Sequence, residues 1–499
     1  MPSTTIKLKD QSLYVDKAVI DGQLVEAISG KRFDVEDPST REVIGSAPEM
    51  DTKDVERSVT AAQNAFQTFR KVSGRERARM LRAYNDIILA NAEDFAKLIV
   101  AENGKPLKEA QAEVVYAASF LEFFSGEAER TNGLTIPAAN PTSRIITIKQ
   151  PIGVVASLCP WNLPIAMAAR KIAAVIASGC TTVVKPAGET PFATLTFCHL
   201  AEKAGIPKGV VNCITGLKTT AEIGKALCEE PRVKKISFTG STAVGKLLVK
   251  QSADTLKKMS LELGGNAPFI VFEDANLDDV IPQLFATKLR NCGQTCTAAN
   301  RILVQKSIVP DFVKRLQGAI EKIPVGGGKD PNVGLGPLMS ERGVDKVKTH
   351  VDDALGKGAT LSWQADKSKY IKDEFKNGFF YPPTIITGLT SDMQIWKEES
   401  FGPLSAIGIF EDEQEALQKA NDSQVGLGAY LFTKDIDRAW RMAEEIETGM
   451  VAINHGMLSA AEGAFGGVKE SGYGREGSVL GLDDYLQIKT LNFRVAPAK

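Results

Sequence analysis

The sequence predicts an α/β protein whose main sheet is parallel and buried on both faces. Between residues 152 and 262, short apolar and β-branched runs alternate with segments of helical spacing. Continuous apolar runs are typical of strands that helices cover on both sides. A second alternation of this kind begins at residue 268. Because 499 residues exceed the size of one typical core, we expect two or three domains.

The first 130 residues are expected to form short strands and then a layer of helices. Ala18–Ile20 and Arg32–Val35 are β-like runs that lie among glycines and prolines. Asp51 is a suitable N-cap for a first helix, and helical patterning continues through residues 75–102 and 107–129. The apolar faces of these helices require a sheet to cover them.

Two alternating segments far apart in the chain predict a separate pair of strands. Thr142–Gln150 and Tyr485–Phe493 are rich in β-branched or aromatic residues, and polar residues stand between these. Two interpretations are open. The strands form an arm for subunit contact, or they form a peripheral hairpin that closes the domain.

The central part of the chain is predicted to supply five buried strands with helices between them. The strands are Ile152–Cys159, Thr181–Val184, Val210–Ile214, Lys235–Phe238 and Lys258–Glu262. The helices are Ile165–Ala177, Thr190–Ala204, Thr220–Cys228 and Ser241–Ser252. In a sheet of this kind, ligands bind beyond the carboxyl ends of the strands. Those ends are therefore where we look for functional residues.

The later part of the chain repeats the α/β pattern with different lengths. Predicted strands are Pro268–Phe272, Ile302–Gln305, Ile407–Phe410, Ala429–Phe432 and Met450–Ile453. Predicted helices are Leu277–Leu289 and Val309–Glu321. We find no internal repeat and no low-complexity tract in the sequence.

Composition excludes several classes of function. A net charge of −1 supplies no basic field for nucleic acid or for an anionic membrane. No apolar run is long enough to span a bilayer, and the polar first ten residues do not predict a secretory signal. Seven scattered cysteines predict reduced thiols in the cytoplasm, and three histidines without ligand spacing give no support to a metal site.

Two of the cysteines, Cys292 and Cys296, lie in a run of small polar residues. This run, Arg290–Arg301, reads R-N-C-G-Q-T-C-T-A-A-N-R. We expect it to be a loop that leads into a helix, where backbone N–H groups would stabilise a thiolate. An ordinary buried cysteine is the alternative.

Several residues at the predicted strand ends have side chains or backbone suited to chemistry. Glu262 precedes two glycines and is a candidate general base, or else a capping or surface glutamate. Asn162 is a candidate oxyanion donor. Lys185 ends a buried run and could meet a ribose hydroxyl or phosphate, unless it is a surface lysine. The segment 240–245 has glycines at both ends and opens a helix, so it could bind a phosphate or serve packing alone.

Taken together, these motifs resemble the NAD(P)-dependent aldehyde dehydrogenase superfamily. The matching segments cover nearly the whole chain and occur in order. They are P-W-N at 160–162, K-P-A at 185–187, F-T-G-S at 238–241, L-E-L-G-G-N at 261–266, G-Q-T-C at 293–296, E-E-S-F-G-P at 398–403 and F-G-G-V-K-E-S-G at 465–472.

The resemblance implies a role for each matching residue. Cys296 would be the nucleophile, Glu262 the general base and Asn162 the oxyanion donor. No metal is implied. Residues implied to bind the dinucleotide are Trp161, Asn162, Lys185, Pro186, Ala187, Gly188, Gly240, Ser241, Leu263, Glu399 and Phe401.

Within the superfamily, the sequence is most similar to succinate-semialdehyde dehydrogenases. Arg170, Arg290 and Ser459 match positions that bind the distant carboxylate of the substrate in that subgroup. Paired guanidinium groups suit a carboxylate, because they bind it through charge-assisted hydrogen bonds. The alternative is that both arginines form internal salt bridges. The resemblance implies oxidation of succinate semialdehyde to succinate, with a thiohemiacetal and then a thioester on the nucleophile.

Four positions depart from the pattern of the subgroup. Ala298 replaces a second cysteine, so Cys292 is either a substitute redox partner or a bystander. His455 and Ala464 alter the loop around Ser459, which leaves open another ω-semialdehyde or a specialised-metabolism aldehyde as substrate. Gly188 stands where NAD-preferring relatives tend to have a glutamate. We therefore expect NADP to be tolerated beside NAD, or preferred.

The resemblance also implies a domain plan. It consists of a Rossmann-like dinucleotide-binding domain (1–130 and 152–262), an α/β catalytic domain (263–470) and a small β oligomerisation arm with the C-terminal tail (131–151 and 471–499). The implied partners are a small aldehyde and further copies of the chain in a homodimer or homotetramer. A non-catalytic binding protein on this fold is the alternative of another class, and the presence of all three catalytic residue types argues against it.

Overall fold

The computed structural model describes residues 6–366 and 371–496, which form α-helices and strands in alternation. The helices are α1 (Thr52–Phe69), α2 (Gly74–Ala90), α3 (Ala92–Asn103), α4 (Leu107–Glu127), α5 (Pro164–Ser178), α6 (Phe192–His199), α7 (Thr220–Glu229), α8 (Thr242–Ser252), α9 (Leu277–Lys288), α10 (Val309–Ile320), α11 (Glu341–Gly356), α12 (Gln394–Lys397), α13 (Glu413–Asn421), α14 (Ile436–Glu445) and α15 (Ser478–Asp483).

The strands, in chain order, complete the inventory. They are β1 (Ala18–Ile20), β2 (Gln23–Val25), β3 (Arg32–Glu36), β4 (Val43–Pro48), β5 (Thr135–Ile136), β6 (Ser143–Pro151), β7 (Val154–Leu158), β8 (Thr181–Lys185), β9 (Val211–Cys213), β10 (Val233–Thr239), β11 (Lys258–Glu262), β12 (Pro268–Val271), β13 (Arg301–Gln305), β14 (Thr360–Gln364), β15 (Thr384–Thr387), β16 (Leu404–Phe410), β17 (Val425–Gly426), β18 (Gly428–Phe432), β19 (Met450–Ile453), β20 (Val468–Lys469) and β21 (Leu486–Arg494).

The first large sheet contains the five parallel strands that the sequence predicts. Its order is β11-β10-β7-β8-β9-β1-β2, and the last two strands join antiparallel at one edge. Helix α5 crosses this sheet, and every one of its fifteen residues is buried. Two of them, Arg170 and Lys171, are charged. Buried charges require partners, so this helix directs attention to the acids around it.

The second large sheet has the order β14-β15-β16-β13-β12-β18-β19. All neighbouring pairs are parallel except β14–β15, which closes one edge antiparallel. Phe269, Ile302 and Ile407 fill its centre and are fully buried. The mixed α/β fold with two parallel sheets therefore confirms the predicted fold class.

The two separate alternating segments do pair with one another. Strands β6 and β21 run antiparallel in register from Ser143 opposite Arg494 to Pro151 opposite Leu486. With β5 they form a three-stranded sheet apart from the two large ones. The predicted domain limits stay a prediction, and their ends at residues 1 and 499 lie outside the described residues. Within the described part of the chain, no helix is both long and apolar enough to cross a membrane.

Candidate active site

A cavity of about 650 Å³ lies beyond the carboxyl ends of the first sheet and extends to the second α/β unit. It brings together most of the residues that the sequence predicts for the site. Those that line it are Trp161, Asn162, Arg170, Gly240, Ser241, Glu262, Leu263, Arg290, Cys296, Glu399, Phe401 and Ser459.

The loop that carries Cys296 has an unusual backbone. Asn291, Cys292 and Gly293 all have positive φ, at 49°, 56° and 77°. This conformation costs energy for residues with a side chain, so other contacts must maintain it. Glu109 does so, because its carboxylate accepts the backbone N–H of Asn291 at 2.7 Å. The expectation that this loop leads into a helix is wrong, since it runs from α9 into strand β13.

Cys296 and Glu262 are in direct contact. The Sγ of Cys296 donates to Glu262 Oε1 at 3.2 Å. Burial, and then the neighbouring Glu262, raise the pKa of Cys296 well above its usual range. This direction favours the neutral thiol over the thiolate that the sequence suggests. Burial also raises the pKa of Glu262, which favours its taking a proton from the thiol.

Asn162 contacts the loop that carries Cys296. Its Nδ2 donates to the carbonyl of Gln294 at 3.0 Å, which uses one of its two amide N–H groups. Within the described residues, the backbone N–H of Cys296 makes no hydrogen bond. Two N–H donors thus remain near the thiol for an oxyanion. The backbone oxygen of Asn162 accepts from Lys105 Nζ at 2.7 Å, which holds the segment in place.

Behind Glu262 lies a buried network of opposite charges. Arg170 Nη1 donates to Glu262 Oε2 at 2.8 Å and lies 3.6 Å from Glu476 Oε2. Lys171 Nζ donates to Glu476 Oε1, which also accepts from Ser237 Oγ at 2.9 Å. Burial acts to raise the pKa of Glu476, but Lys171 and Arg170 together outweigh it and lower that pKa. Both charges on α5 are therefore compensated.

Arg290 differs from Arg170 in its exposure and in its contacts. Its side chain is half-buried and lines the cavity. No hydrogen bond or ion pair holds its guanidinium among residues 6–366 and 371–496. Ser459 lines the same cavity from the loop after β19. The alternative of an internal salt bridge thus describes Arg170 but not Arg290.

The residues around Gly240 present a surface suited to a dinucleotide. Ser241 caps α8, so the N–H groups of the first turn face the cavity end of β10. Trp161 and Phe401 meet edge to face, with ring centroids 5.5 Å apart. Burial raises the pKa of Glu399 to about 7, and its buried Oε1 has no hydrogen-bond partner in the described part of the chain. An unsatisfied carboxylate oxygen of this kind fits the hydroxyls of a ribose.

The segment Lys185–Gly188 lies beyond the lining of this cavity. Lys185 Nζ donates to the carbonyls of Pro186 and Gly216 and to Thr220 Oγ1, at 2.9 to 3.0 Å. These bonds occupy its three N–H groups. A Cβ added at Gly188 would lie 2.9 Å from Leu217 Cα, so a larger residue would displace the neighbouring loop.

Cys292 is buried in the core of the second α/β unit. Its side chain is 2% exposed, and burial raises its pKa. The sequence leaves its role open, and this environment gives no access to an oxidant.

Several site residues were not found from the sequence. Tyr116 lies on α4 outside any recognisable motif. Its hydroxyl accepts a hydrogen bond from Arg170 Nη2 at 2.8 Å. Glu476 lies in the segment G-R-E-G-S (474–478), outside the motifs given above. The two charged residues Arg170 and Lys171 within the apolar sequence of α5 are the signal that could have indicated a buried acidic partner. Among the described residues, no group of His, Cys, Asp and Glu forms a metal site.

Comparison with known proteins agrees with this geometry. The sequence model of the aldehyde dehydrogenase family matches residues 24–491. Glutarate-semialdehyde dehydrogenase of Pseudomonas aeruginosa is 45% identical over 97% of this chain and 99% of its own length. Succinate-semialdehyde dehydrogenase (NADP+) 1 of Schizosaccharomyces pombe is 46% identical over 98% of each chain.

A solved structure shows the same arrangement. Succinate-semialdehyde dehydrogenase from Burkholderia pseudomallei superposes with a TM-score of 0.95 at 46% identity, over 98% of this chain and 100% of that one. With a family match across nearly all of its length and a cavity built around Cys296 and Glu262, the chain belongs to the aldehyde dehydrogenase family.

Proposed function

We propose that this enzyme oxidises an ω-semialdehyde, succinate semialdehyde first, to the dicarboxylic acid. The observation that carries the proposal is the unpaired guanidinium of Arg290 in the cavity of Cys296. Glu109 lies within electrostatic range of this half-buried cation but makes no salt bridge with it, so a carboxylate at the far end of the aldehyde can pair with the guanidinium. Ser459 lies in the same cavity and offers a hydroxyl donor.

The first step follows from the contact between Cys296 and Glu262. Glu262 takes the proton of the thiol across 3.2 Å, and the sulfur attacks the aldehyde carbon. A C–S bond forms and the carbonyl oxygen becomes an oxyanion. The free N–H groups of Asn162 and Cys296 stabilise that charge in a site with little water. The product of this step is a thiohemiacetal on Cys296.

The second half returns the enzyme to its starting state. A nicotinamide dinucleotide held by the Ser241 and Glu399 region would supply the hydride acceptor, and loss of a hydride from the thiohemiacetal carbon leaves a thioester on Cys296. Glu262 releases the thiol proton to solvent and then takes a proton from water, whose oxygen attacks the thioester carbon. The C–S bond breaks, the thiol regains its proton, and the acid leaves.

We propose that NADP serves as cofactor and that NAD is also used. The residues present fit such a group, because Ser241 begins α8 at the cavity and Glu399 has an unsatisfied oxygen. Gly188 itself supplies no carboxylate to repel a 2′-phosphate, and the acid near Lys185 is Glu189, which is one residue later and exposed. Comparing kcat/KM for the two cofactors tests this, and the proposal fails if NADP supports no activity at saturation.

The chain length of the substrate is the open part of the proposal. The relatives named above act, by their names, on four-carbon succinate semialdehyde or five-carbon glutarate semialdehyde. His455 and Ala464 flank the loop of Ser459, where the sequence departs from the pattern of the subgroup. Glutarate semialdehyde is therefore the second candidate.

A substrate panel with one variant tests the carboxylate site. We expect Arg290→Gln to lower kcat/KM about 100-fold for succinate and glutarate semialdehydes, since a charge-assisted pair is lost. The loss for butanal, which has the same length without the charge, should be much smaller. Arg342→Gln is the control, because Arg342 is an exposed arginine of the same cavity. Equal losses for charged and uncharged aldehydes in Arg290→Gln would refute the proposal.

We also propose that the enzyme works in the cytoplasm as a homodimer or homotetramer. All seven cysteines are free thiols, which suits a reducing compartment. The three-stranded sheet of β5, β6 and β21 exposes Ile488 and Phe493, which are 71% and 52% exposed in the single chain. Apolar residues on an edge strand are suited to contact with a second copy.

A further inference from the structure

The guanidinium of Arg170 lies in the catalytic cavity and is already paired with the general base. Its Nη1 contacts Glu262 at 2.8 Å, and its Nη2 donates to the hydroxyl of Tyr116 at 2.8 Å. The residue is 2% exposed. Its buried Nε has no hydrogen-bond partner among the described residues. Arg170 therefore has an unused Nε donor, and an incoming anion must compete with two acids, Glu262 and Glu476.

A substrate carboxylate can reach this guanidinium. Glu262 bridges the two sites, since one of its oxygens is 3.2 Å from Cys296 Sγ and the other 2.8 Å from Arg170. An acyl chain on Sγ that ends in a carboxylate adds about three C–C bonds of ~1.5 Å for a four-carbon substrate. Its carboxylate thus comes within the range that Glu262 now spans. Arg290 shares the cavity and can take the second oxygen.

The surroundings allow Arg170 to change partner without loss of its position. The ring of Phe465 lies 4.2 Å from its guanidinium carbon and that of Phe120 lies 5.3 Å away. Aromatic rings at these distances stabilise the cation and leave the edge of its plane available to acceptors. Glu476 does not depend on Arg170 alone, because Lys171 and Ser237 also hold it.

We propose that Arg170 is a positioning residue that exchanges partners during the reaction. In the substrate-free enzyme it holds the carboxylate of Glu262 beside the thiol. In the acyl-enzyme it pairs with the substrate carboxylate and releases Glu262 to act as base on water. The exchange rests on the proposed function, because it requires a substrate that carries a distant carboxylate.

The exchange alters the charges that face Glu262. These are Arg170 and Lys171 as cations, Glu476 as an acid, and the sulfur of Cys296. Arg170 lowers the pKa of Glu262 and Glu476 raises it. When the substrate neutralises Arg170, the pKa of Glu262 rises further. Since Glu262 must be deprotonated to accept a proton, the acid limb of deacylation then moves to higher pH.

Two esters that differ only in the terminal carboxylate test this on the unaltered enzyme. Mono-p-nitrophenyl succinate and p-nitrophenyl butyrate both transfer their acyl group to Cys296, with p-nitrophenolate as leaving group. Water then cleaves each thioester to the acid and the thiol. We measure the single-turnover deacylation rate against pH and correct it for hydrolysis in solution. We expect the acid limb of the succinyl-enzyme about one pH unit above that of the butyryl-enzyme.

The outcomes separate the exchange from the function on which it rests. If Arg290→Gln weakens acylation by the succinate ester selectively but the two acid limbs coincide, only the exchange is overturned. If that variant weakens both esters equally, the carboxylate site itself fails, and the exchange falls with it. Glu262→Gln must slow deacylation of both acyl groups, because an intramolecular attack by the succinyl carboxylate would not need the base.

Variants of Arg170 supply a second measurement. In Arg170→Gln we expect the two acid limbs to coincide at the higher pH, and Arg170→Lys should restore part of the separation. Arg77→Gln is the matched control, since Arg77 is also buried and donates to the carbonyl of Ala177 at 3.0 Å. It should lower stability without moving either limb. If Arg170→Gln retains the full separation, the exchange is overturned; if it does not fold, the comparison of esters on the unaltered enzyme decides.

Discussion

Gly265 lies against the loop of the nucleophile. A Cβ at this position would approach the carbonyl oxygen of Cys296 well inside 3.0 Å, which real Cβ atoms do not do. The φ angle of Gly265 is not in the left-handed region, so the requirement for glycine is one of space. The close approach of two backbones, rather than a flexible turn, places the thiol beside Glu262.

Gly265→Ala should therefore displace Cys296 and lower kcat/KM about 100-fold, since a shift of the reacting atom by 1 Å costs roughly that much. Steady-state kinetics measures the loss, and circular dichroism checks the fold. Gly318→Ala is the control, because Gly318 lies in α10 with nothing within 4 Å of an added Cβ. It should stabilise the protein by about 0.5–1 kcal/mol and leave the kinetics unaltered. Full activity in Gly265→Ala would contradict the prediction, because it would show that the loop accommodates the Cβ without displacing the thiol.

Glu262→Gln should slow both the formation of the thiohemiacetal and the hydrolysis of the thioester, so the enzyme that does react should remain at the thioester. The amide keeps the volume of the side chain but cannot take a proton from water, and general-base contributions are about 10²- to 10⁴-fold. Quench and mass spectrometry should show the mass of the acyl group on the peptide of Cys296. Hydrolysis at the normal rate in this variant would assign the base to another residue.

Residues that perform chemistry were predictable from the sequence where they stand in short motifs. Cys296, Glu262 and Asn162 lie together in one cavity, as their motifs imply. The partner of Arg170 was not predictable in this way. An arginine can bind a substrate or a glutamate with equal chemistry, and only the packing of α5 against β11 shows that Glu262 takes it.

Helices α3 and α6 are joined by a buried carboxylate. Glu102, at the end of α3, accepts the backbone N–H groups of Phe192 and Ala193 at 2.7 and 3.0 Å. These N–H groups begin α6 and have no partner within that helix. The residue is fully buried, and burial raises the pKa of Glu102 to about 8.

This pKa predicts a fall in stability as pH rises. The folded state holds the proton of Glu102 up to about pH 8, whereas the unfolded state loses it near the ordinary value of 4.5. The unfolded state therefore binds fewer protons than the folded state between these two pKa values. In that window the free energy of unfolding falls by about 1.4 kcal/mol per pH unit. Glu102→Gln, which cannot titrate, should flatten this part of the profile of Tm against pH.

Glu49→Gln is the control for that measurement. Glu49 also accepts two backbone N–H groups, from Leu217 and Thr219, but its pKa is lowered by these bonds although burial opposes them. The contribution of Glu49 to stability is fully present above its ordinary pKa. Glu49→Gln should therefore not alter the slope of Tm against pH between pH 6 and 8. Equal slopes for Glu102→Gln and the unaltered protein would refute the assignment.

At the level of elements, prediction succeeded where the sequence pattern reflects burial. Strands β8 and β18 lie within one residue of their predicted limits, and all five residues of each are buried. Helix α11 and strand β15 were not assigned. Helix α11 is strongly charged, but its buried Val347, Val351 and Ala354 have helical spacing, so the sequence contained a signal for it. Strand β15 is only four residues long, which is too short for a clear local pattern.

The whole molecule depends on its C-terminal strand for the predicted assembly. Ile488→Asp, on β21, should weaken subunit contact, because it buries a charge against a second copy. Sedimentation velocity should show a smaller species with unchanged secondary structure. Leu256→Asp is the control, since Leu256 is 92% exposed and lies outside this sheet. An unaltered oligomer in Ile488→Asp would exclude this surface as the interface.

The pairing of β6 with β21 has a consequence for the order of synthesis. The ribosome makes the N-terminal part first, at about 5–20 residues per second. Strand β6 and the charges of α5 therefore leave the ribosome long before β21 and Glu476 exist. Until then β6 lacks its partner strand β21, and Lys171 lacks the carboxylate of Glu476. The nucleophile and the base are both present in such a nascent chain, but the charge network behind the base forms only after Glu476 and β21 have been made.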